Sequence, residues 1–176
     1  MKKVQKALLV LLRAGLWESR IEDLSCFPMS AGEWKNLYLL SRQQTVTGIV
    51  FQGIQHLPEH FLPAEELLVR WMAETDAIER KNIQMNKALE LLVQWFTESG
   101  VQPVLQKGQG IASLYENLLR ECGDIDFYFD SRQMFENAFS LIRQCGLRGK
   151  VQADQSVTYA WKGVEVEHHY MLAGFA

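Results

Sequence analysis

Gly123-Asp124-Ile125-Asp126-Phe127-Tyr128-Phe129 is the stretch on which the reading of this chain turns. Acidic and apolar residues alternate over 124–129, as they do in a half-buried strand. Residues two apart on a strand share a face, so Asp124 and Asp126 are expected to project together, with Ile125 and Phe127 on the other side. Two carboxylates so placed repel each other, and each resists losing its water. A divalent cation resolves that conflict. Mg²⁺ prefers hard oxygen ligands and often takes one or two carboxylates together with substrate phosphates.

Working outward, a second acidic run follows downstream: Val164-Glu165-Val166-Glu167-His168-His169. Glu165 and Glu167 share one strand face. If that strand lies beside the Asp strand, one of them completes a three-carboxylate cluster. Such a cluster can hold two metals roughly 3.5–4 Å apart, on either side of an in-line displacement. His169 falls on the same face, where it could orient a carboxylate or make a structural hydrogen bond. Upstream, Lys107-Gly108-Gln109-Gly110 reads as a turn opening a helix. Free N–H groups at a helix start suit a phosphate, and glycine allows its close approach. Lys107 adds positive charge, and Arg120 could contact a phosphate oxygen or pair with an Asp. Taken singly, each signal is weak. D-x-D and E-x-E strands are commonly solvated faces, and no Walker or Rossmann fingerprint is present. The order of turn, helix, D-x-D strand and E-x-E strand is far more specific.

The rest of the chain frames these motifs. Before residue 100 the pattern is helical: Leu8, Leu11, Leu12 and Leu16, then Trp34, Leu37, Tyr38 and Ser41, then 46–56. Pro58 and Pro63 interrupt, and a long helix is expected over 64–99, with Gly100 as its stop. Beyond it come a short strand over 101–106, a helix over 111–119 and a helix over 132–145. Strands over 156–161 and 164–170 are joined at Lys162-Gly163. The expected fold class is α+β: a helical N-terminal region, 1–99, and an α/β unit with a small mixed sheet, 100–176.

Composition sets limits. The 176 residues carry a net charge of -3, so there is no basic excess to neutralise phosphates non-specifically and no strong nucleic-acid signal. Cys26, Cys122 and Cys145 are odd in number and far apart, which points to reduced thiols in a cytoplasmic protein. The N-terminus reads as an amphipathic helix rather than a signal peptide, and no run approaches the roughly 18 apolar residues of a membrane span. His56 and His60 have ligand-like spacing, but Pro58 stands between them. The five tryptophans read mainly as packing residues. The long helix could support a homodimer, although packing onto the α/β unit is the simpler expectation.

In order, Lys107-Gly108, Leu114-Tyr115, Arg120, Gly123-Asp124-Ile125-Asp126 and the acidic strand with its histidines resemble the uncharacterised nucleotidyltransferase family of bacteria. That family is similar to the DNA polymerase β-like nucleotidyltransferase superfamily. The resemblance is specific over 101–172, and the helical region looks like the family's without distinctive motifs. It implies a nucleotidyltransferase-type α/β unit in which Asp124 and Asp126 bind Mg²⁺. Glu167 is implied as the third carboxylate, with Glu165 as the alternative. The implied activity is transfer of a nucleoside monophosphate from a nucleoside triphosphate, ATP among the candidates, to a hydroxyl or phosphate of an acceptor. Asp124, Asp126 and Glu167 would hold two Mg²⁺ ions, while Lys107, Gly108, Gln109 and Arg120 would steady the triphosphate. Two departures stand out. Gly108-Gln109 occupies the usual Gly-Ser or Gly-Gly turn, and family members continue past the last acidic strand, so a C-terminal truncation is expected. Both features favour the alternative reading, a non-catalytic nucleotide- or partner-binding module on the same fold.

Overall fold

The computed structural model describes residues 2–171; the chain end at Phe175-Ala176, from which truncation is expected, lies outside the described residues. The chain forms two compact units, Met1–Asn82 with Asn117–Glu121, and Ile83–Glu116 with Cys122–Ala176. They part inside a helix rather than at residue 100, where the sequence pattern changes.

The first unit is helical: α1 (Lys3–Trp17), α2 (Ala31–Gln43), α3 (Thr47–Ile54), a 3-10 turn (Glu59–Phe61) and the first half of α4 (Glu65–Glu98). Ser30 starts α2 with a reciprocal cap: its hydroxyl accepts from the Glu33 N–H, and the Glu33 carboxylate accepts from the Ser30 N–H. α1 and α3 touch backbone to backbone at two glycines. A Cβ on Gly15 would lie 1.9 Å from the Ile49 carbonyl oxygen, and one on Gly53 1.9 Å from that of Leu11. Leu11, Leu37, Ile54 and Trp71 form the centre of this core.

The second unit carries a mixed five-stranded sheet of order β1-β2-β5-β4-β3. The strands are β1 (Val104–Leu105), β2 (Ile125–Tyr128), β3 (Lys150–Val151), β4 (Val157–Trp161) and β5 (Val164–His169). β2 and β5 run parallel, and the other pairs are antiparallel. One sheet face is dry. Ile125, Phe127, Val166 and His168 are fully buried against Met85, Leu92 and Phe96 of the second half of α4. α6 (Arg132–Gln144), capped by Ser131, adds Phe135, Ala138 and Ile142 to that core. The α+β class and the small mixed sheet are therefore as expected.

Three local expectations are corrected. Instead of a helix over 111–119, α5 is short (Lys107–Ala112) and the chain then turns. The apolar positions that suggested a helix face, Ile111 and Leu114, are exposed. The segment beyond is pinned elsewhere: the Asn82 carboxamide donates to the carbonyls of Leu118 and Arg120, both at 2.7 Å, and the Glu121 carboxylate accepts from the Thr47 N–H at 2.8 Å. Asp124 precedes β2 rather than lying within it, because pairing with β5 begins at Ile125. β3, two exposed residues, was not expected.

Candidate cation-binding site

The wet face of β2 and β5 gathers the acidic residues. In the parallel register Asp126 sits opposite Glu167, and Tyr128 opposite His169. On β5, Glu165, Glu167 and His169 face away from the core that holds Val164, Val166 and His168. Glu165 is exposed, whereas Glu167 is half-buried.

Asp126 is 3% exposed, so its charge must be compensated locally. The Lys107 ammonium donates to its Oδ1 at 3.2 Å from an exposed stem. Nε2 of His169 lies 3.5 Å from the same oxygen and 3.4 Å from Glu167 Oε2. That ring nitrogen is buried and makes no hydrogen bond among the described residues. One donor atom from each of Asp126, Glu167 and His169 falls within 4.8 Å of the others. The orphaned nitrogen between two carboxylate oxygens fits a divalent cation, which these three side chains could hold.

Asp124 is half-buried in the turn before β2. Burial pushes its carboxyl above the usual range first, and the charges of Asp126 and Glu167 push it further, with Lys107 opposing. Asp124 therefore shares the electrostatic field of the acidic face, although it is outside the closest group of three.

The kinked start of α5 abuts these acids. Gly108 has φ 22°, and a Cβ there would stand 2.9 Å from the Asp124 carbonyl oxygen and 3.8 Å from Asp126 Oδ2. Only glycine leaves that approach open. Lys107 also has positive φ, 27°, a strained conformation for a side chain of its size. Gln109 is buried, and its carboxamide donates to Asn86 Oδ1 at 3.1 Å, so its side chain is turned toward α4. Arg120 belongs to the 117–121 segment of the first unit.

Sequence reasoning missed Ser156. Its buried hydroxyl lies 2.8 Å from both Glu167 Oε1 and Asp154 Oδ1, so one proton serves two carboxylates. It ties down one oxygen of Glu167 and leaves the other facing His169. Only the β4–β5 register, in which Thr158 pairs with Glu167, would have revealed it. His168 has a different role on the dry face. Its Nε2 lies 2.8 Å from the Tyr159 hydroxyl among Phe96, Phe127 and Phe129, and burial draws its pKa down to about 3. His56 and His60 join no group of potential metal ligands among the described residues.

No helix is long and apolar enough to cross a membrane among the described residues. A family model described as an uncharacterised nucleotidyltransferase matches residues 30–174, taking in most of the helical region as well as the sheet. A search of curated proteins gives no match.

Proposed function

Since the chain belongs to the uncharacterised nucleotidyltransferase family, we propose that it moves a nucleoside monophosphate from a nucleoside triphosphate to a hydroxyl or phosphate oxygen of an acceptor, releasing pyrophosphate. The observation that carries this reading is the register of β2 and β5. Two acids from distant segments, Asp126 and Glu167, become direct neighbours, and a buried ring nitrogen lies between their oxygens.

In this reading Asp124, Asp126 and Glu167 hold two Mg²⁺ or similar ions, with Glu165 beside them on the same face. Bound divalent ions neutralise charge on the transferring phosphoryl group and help activate the acceptor oxygen. Glu167 also accepts the acceptor's proton. Lys107, whose side chain is exposed, would reach the triphosphate when an ion neutralised Asp126. Gly108 lets the phosphates come against the backbone, and Gln109 contributes through its main chain. Cys26, Cys122 and Cys145, read as reduced cysteines, support a cytoplasmic setting.

Asp124→Asn and Asp126→Asn are expected to reduce transfer of label from a radiolabelled nucleoside triphosphate to background. Equal labelling by the unaltered protein and both variants would reject the assignment. One observation favours a second reading, a non-catalytic nucleotide-binding module: the inward turn of the Gln109 carboxamide onto Asn86. Cation-dependent nucleotide binding without pyrophosphate release, measured by calorimetry and a phosphate assay, would establish it.

A further inference from the structure

We propose that His169 is itself a ligand of the cation, through Nε2. The ion position between Asp126 and Glu167 then offers two carboxylates and one imidazole, and that position selects first-row transition ions such as Mn²⁺, Co²⁺ or Zn²⁺ over Mg²⁺. This rests on the reading of the acidic face as a cation site and specifies which ions it takes.

The first support is what His169 does not do. A protonated imidazole between two carboxylates would form charge-assisted hydrogen bonds of about 2.7–2.9 Å. Nε2 instead stands at 3.5 Å from Asp126 Oδ1 and 3.4 Å from Glu167 Oε2, without a hydrogen bond to either, although the atom is buried. A buried ring nitrogen left unpaired is costly, and a metal bond is a partner that both its lone pair and the two flanking oxygens can share.

The second support is spacing. Ligand atoms roughly 2.0–2.2 Å from one ion stand about 3.0–3.5 Å from each other in octahedral or tetrahedral arrangements. The two distances at Nε2 fall in that interval, and the third pair, Asp126 with Glu167, lies within 4.8 Å, with Lys107 holding Asp126 Oδ1 at 3.2 Å where the ion would stand in for it.

The third is orientation. The hydroxyl of Ser156 engages Glu167 Oε1, leaving Oε2 as the oxygen turned to His169. β5 alternation keeps His169 on the acidic face, while its neighbour His168 is locked into the core by Tyr159. The donor set therefore arises from the pleat. Imidazole suits transition ions, whereas Mg²⁺ favours oxygen throughout.

Mn²⁺ is the direct probe, added at or below one equivalent to the full chain. Electron spin-echo measurements are expected to show ¹⁴N modulation from a directly bound imidazole, and His169→Gln should lose it while weakening Mn²⁺ by about tenfold or more. His169→Asp, which makes the donors all oxygen, should shift the Mn²⁺-over-Mg²⁺ preference toward Mg²⁺ in a displacement titration. Tight Mn²⁺ binding without ¹⁴N modulation in the unaltered protein, which requires no variant to fold, would overturn the inference and leave the cation reading intact. Absence of Mn²⁺ binding, unchanged by Asp126→Asn, would remove the cation reading and this inference with it.

Discussion

Three paired carboxylates of the first unit and Asp124 of the second unit sit in opposite surroundings. In the first unit three carboxylates each have a cation: Asp23 meets Lys6 at 2.8 Å, Glu33 meets Lys3 at 3.2 Å, and Glu74 meets Arg42 at 2.8 Å while also accepting from the Tyr38 hydroxyl. Hydrogen bonds from Lys6 and then Ser25 hold the Asp23 carboxyl well below the usual range, and the Ser30 N–H followed by Lys3 lowers that of Glu33. On the sheet face of the second unit, burial and neighbouring acids raise the Asp124 carboxyl. A carboxylate stabilised by its surroundings serves the fold. One pushed upward by them would gain from added positive charge.

The sharpest way to break this contrast is to supply the missing charge. Saturating Mn²⁺ or Mg²⁺ at about 100 times its dissociation constant should stabilise the unaltered protein by about 2.7 kcal/mol. In a chain of this size that is a rise in melting temperature of about 5–10 °C. Asp126→Asn should show no such rise. An equal rise in both proteins would mean that the acidic face holds no ion.

A second, smaller effect concerns the hydroxyl that sets Glu167. Ser156→Ala should weaken cation binding by about 10–100-fold, as loss of an outer hydrogen-bond partner does, and Ser156→Thr should recover most of it. Calorimetric titration with Mn²⁺ reads both. Unchanged affinity in the alanine variant would leave Ser156 as a partner of Asp154 alone.

Without added ions, Asp124→Asn should raise the melting temperature at pH 7 modestly. The sign follows from linkage. A folded-state pKa above the unfolded value means that stability is lost as pH rises from the unfolded pKa through the folded one, so the ionised carboxylate destabilises the fold at neutrality. Asp23→Asn should move the other way, and only slightly, because its pair with Lys6 is exposed. Changes of the same sign in both variants would erase the distinction between the units.

The smallest effect expected is confined to acid. His168, depressed to about 3 from an unfolded 6.5, contributes stability that is complete above pH 6.5 and lost as pH falls from there toward 3. His168→Phe should therefore flatten the decline in stability over that window, as followed by denaturant titrations at several pH values. An unchanged slope would mean that the ring does not remain neutral in the core.

How much of this was legible beforehand depended on how local each signal is. Alternation over 124–129 and 164–170 located β2 and β5, because a two-residue period is written in neighbouring residues. It identified Asp126, Glu165 and Glu167 as acids on one kind of surface but did not decide between the glutamates, which share a face. That choice turns on the register of Asp126 with Glu167, which pairing sets at long range. The same limit hid Ser156, whose partner lies on another strand. Ile111, Leu114, Tyr115 and Leu118 looked helical because spacing alone does not say whether apolar side chains meet a core, and Leu114 is 80% exposed. Asn82, far away in sequence, ties down the carbonyls of that region.

The parallel pairing of β2 with β5 has a consequence for biosynthesis. A parallel connection cannot close through a tight hairpin; here it must pass through α6 and the β3–β4 ribbon before β5 arrives. A nascent chain that has emerged only as far as Trp161 holds Asp126 but has no strand to set beside it. The proposed ion site is thus completed late in maturation, after the slow non-local closure, and a nick between α6 and β4 that let the two pieces drift apart would dismantle it without removing a single acid.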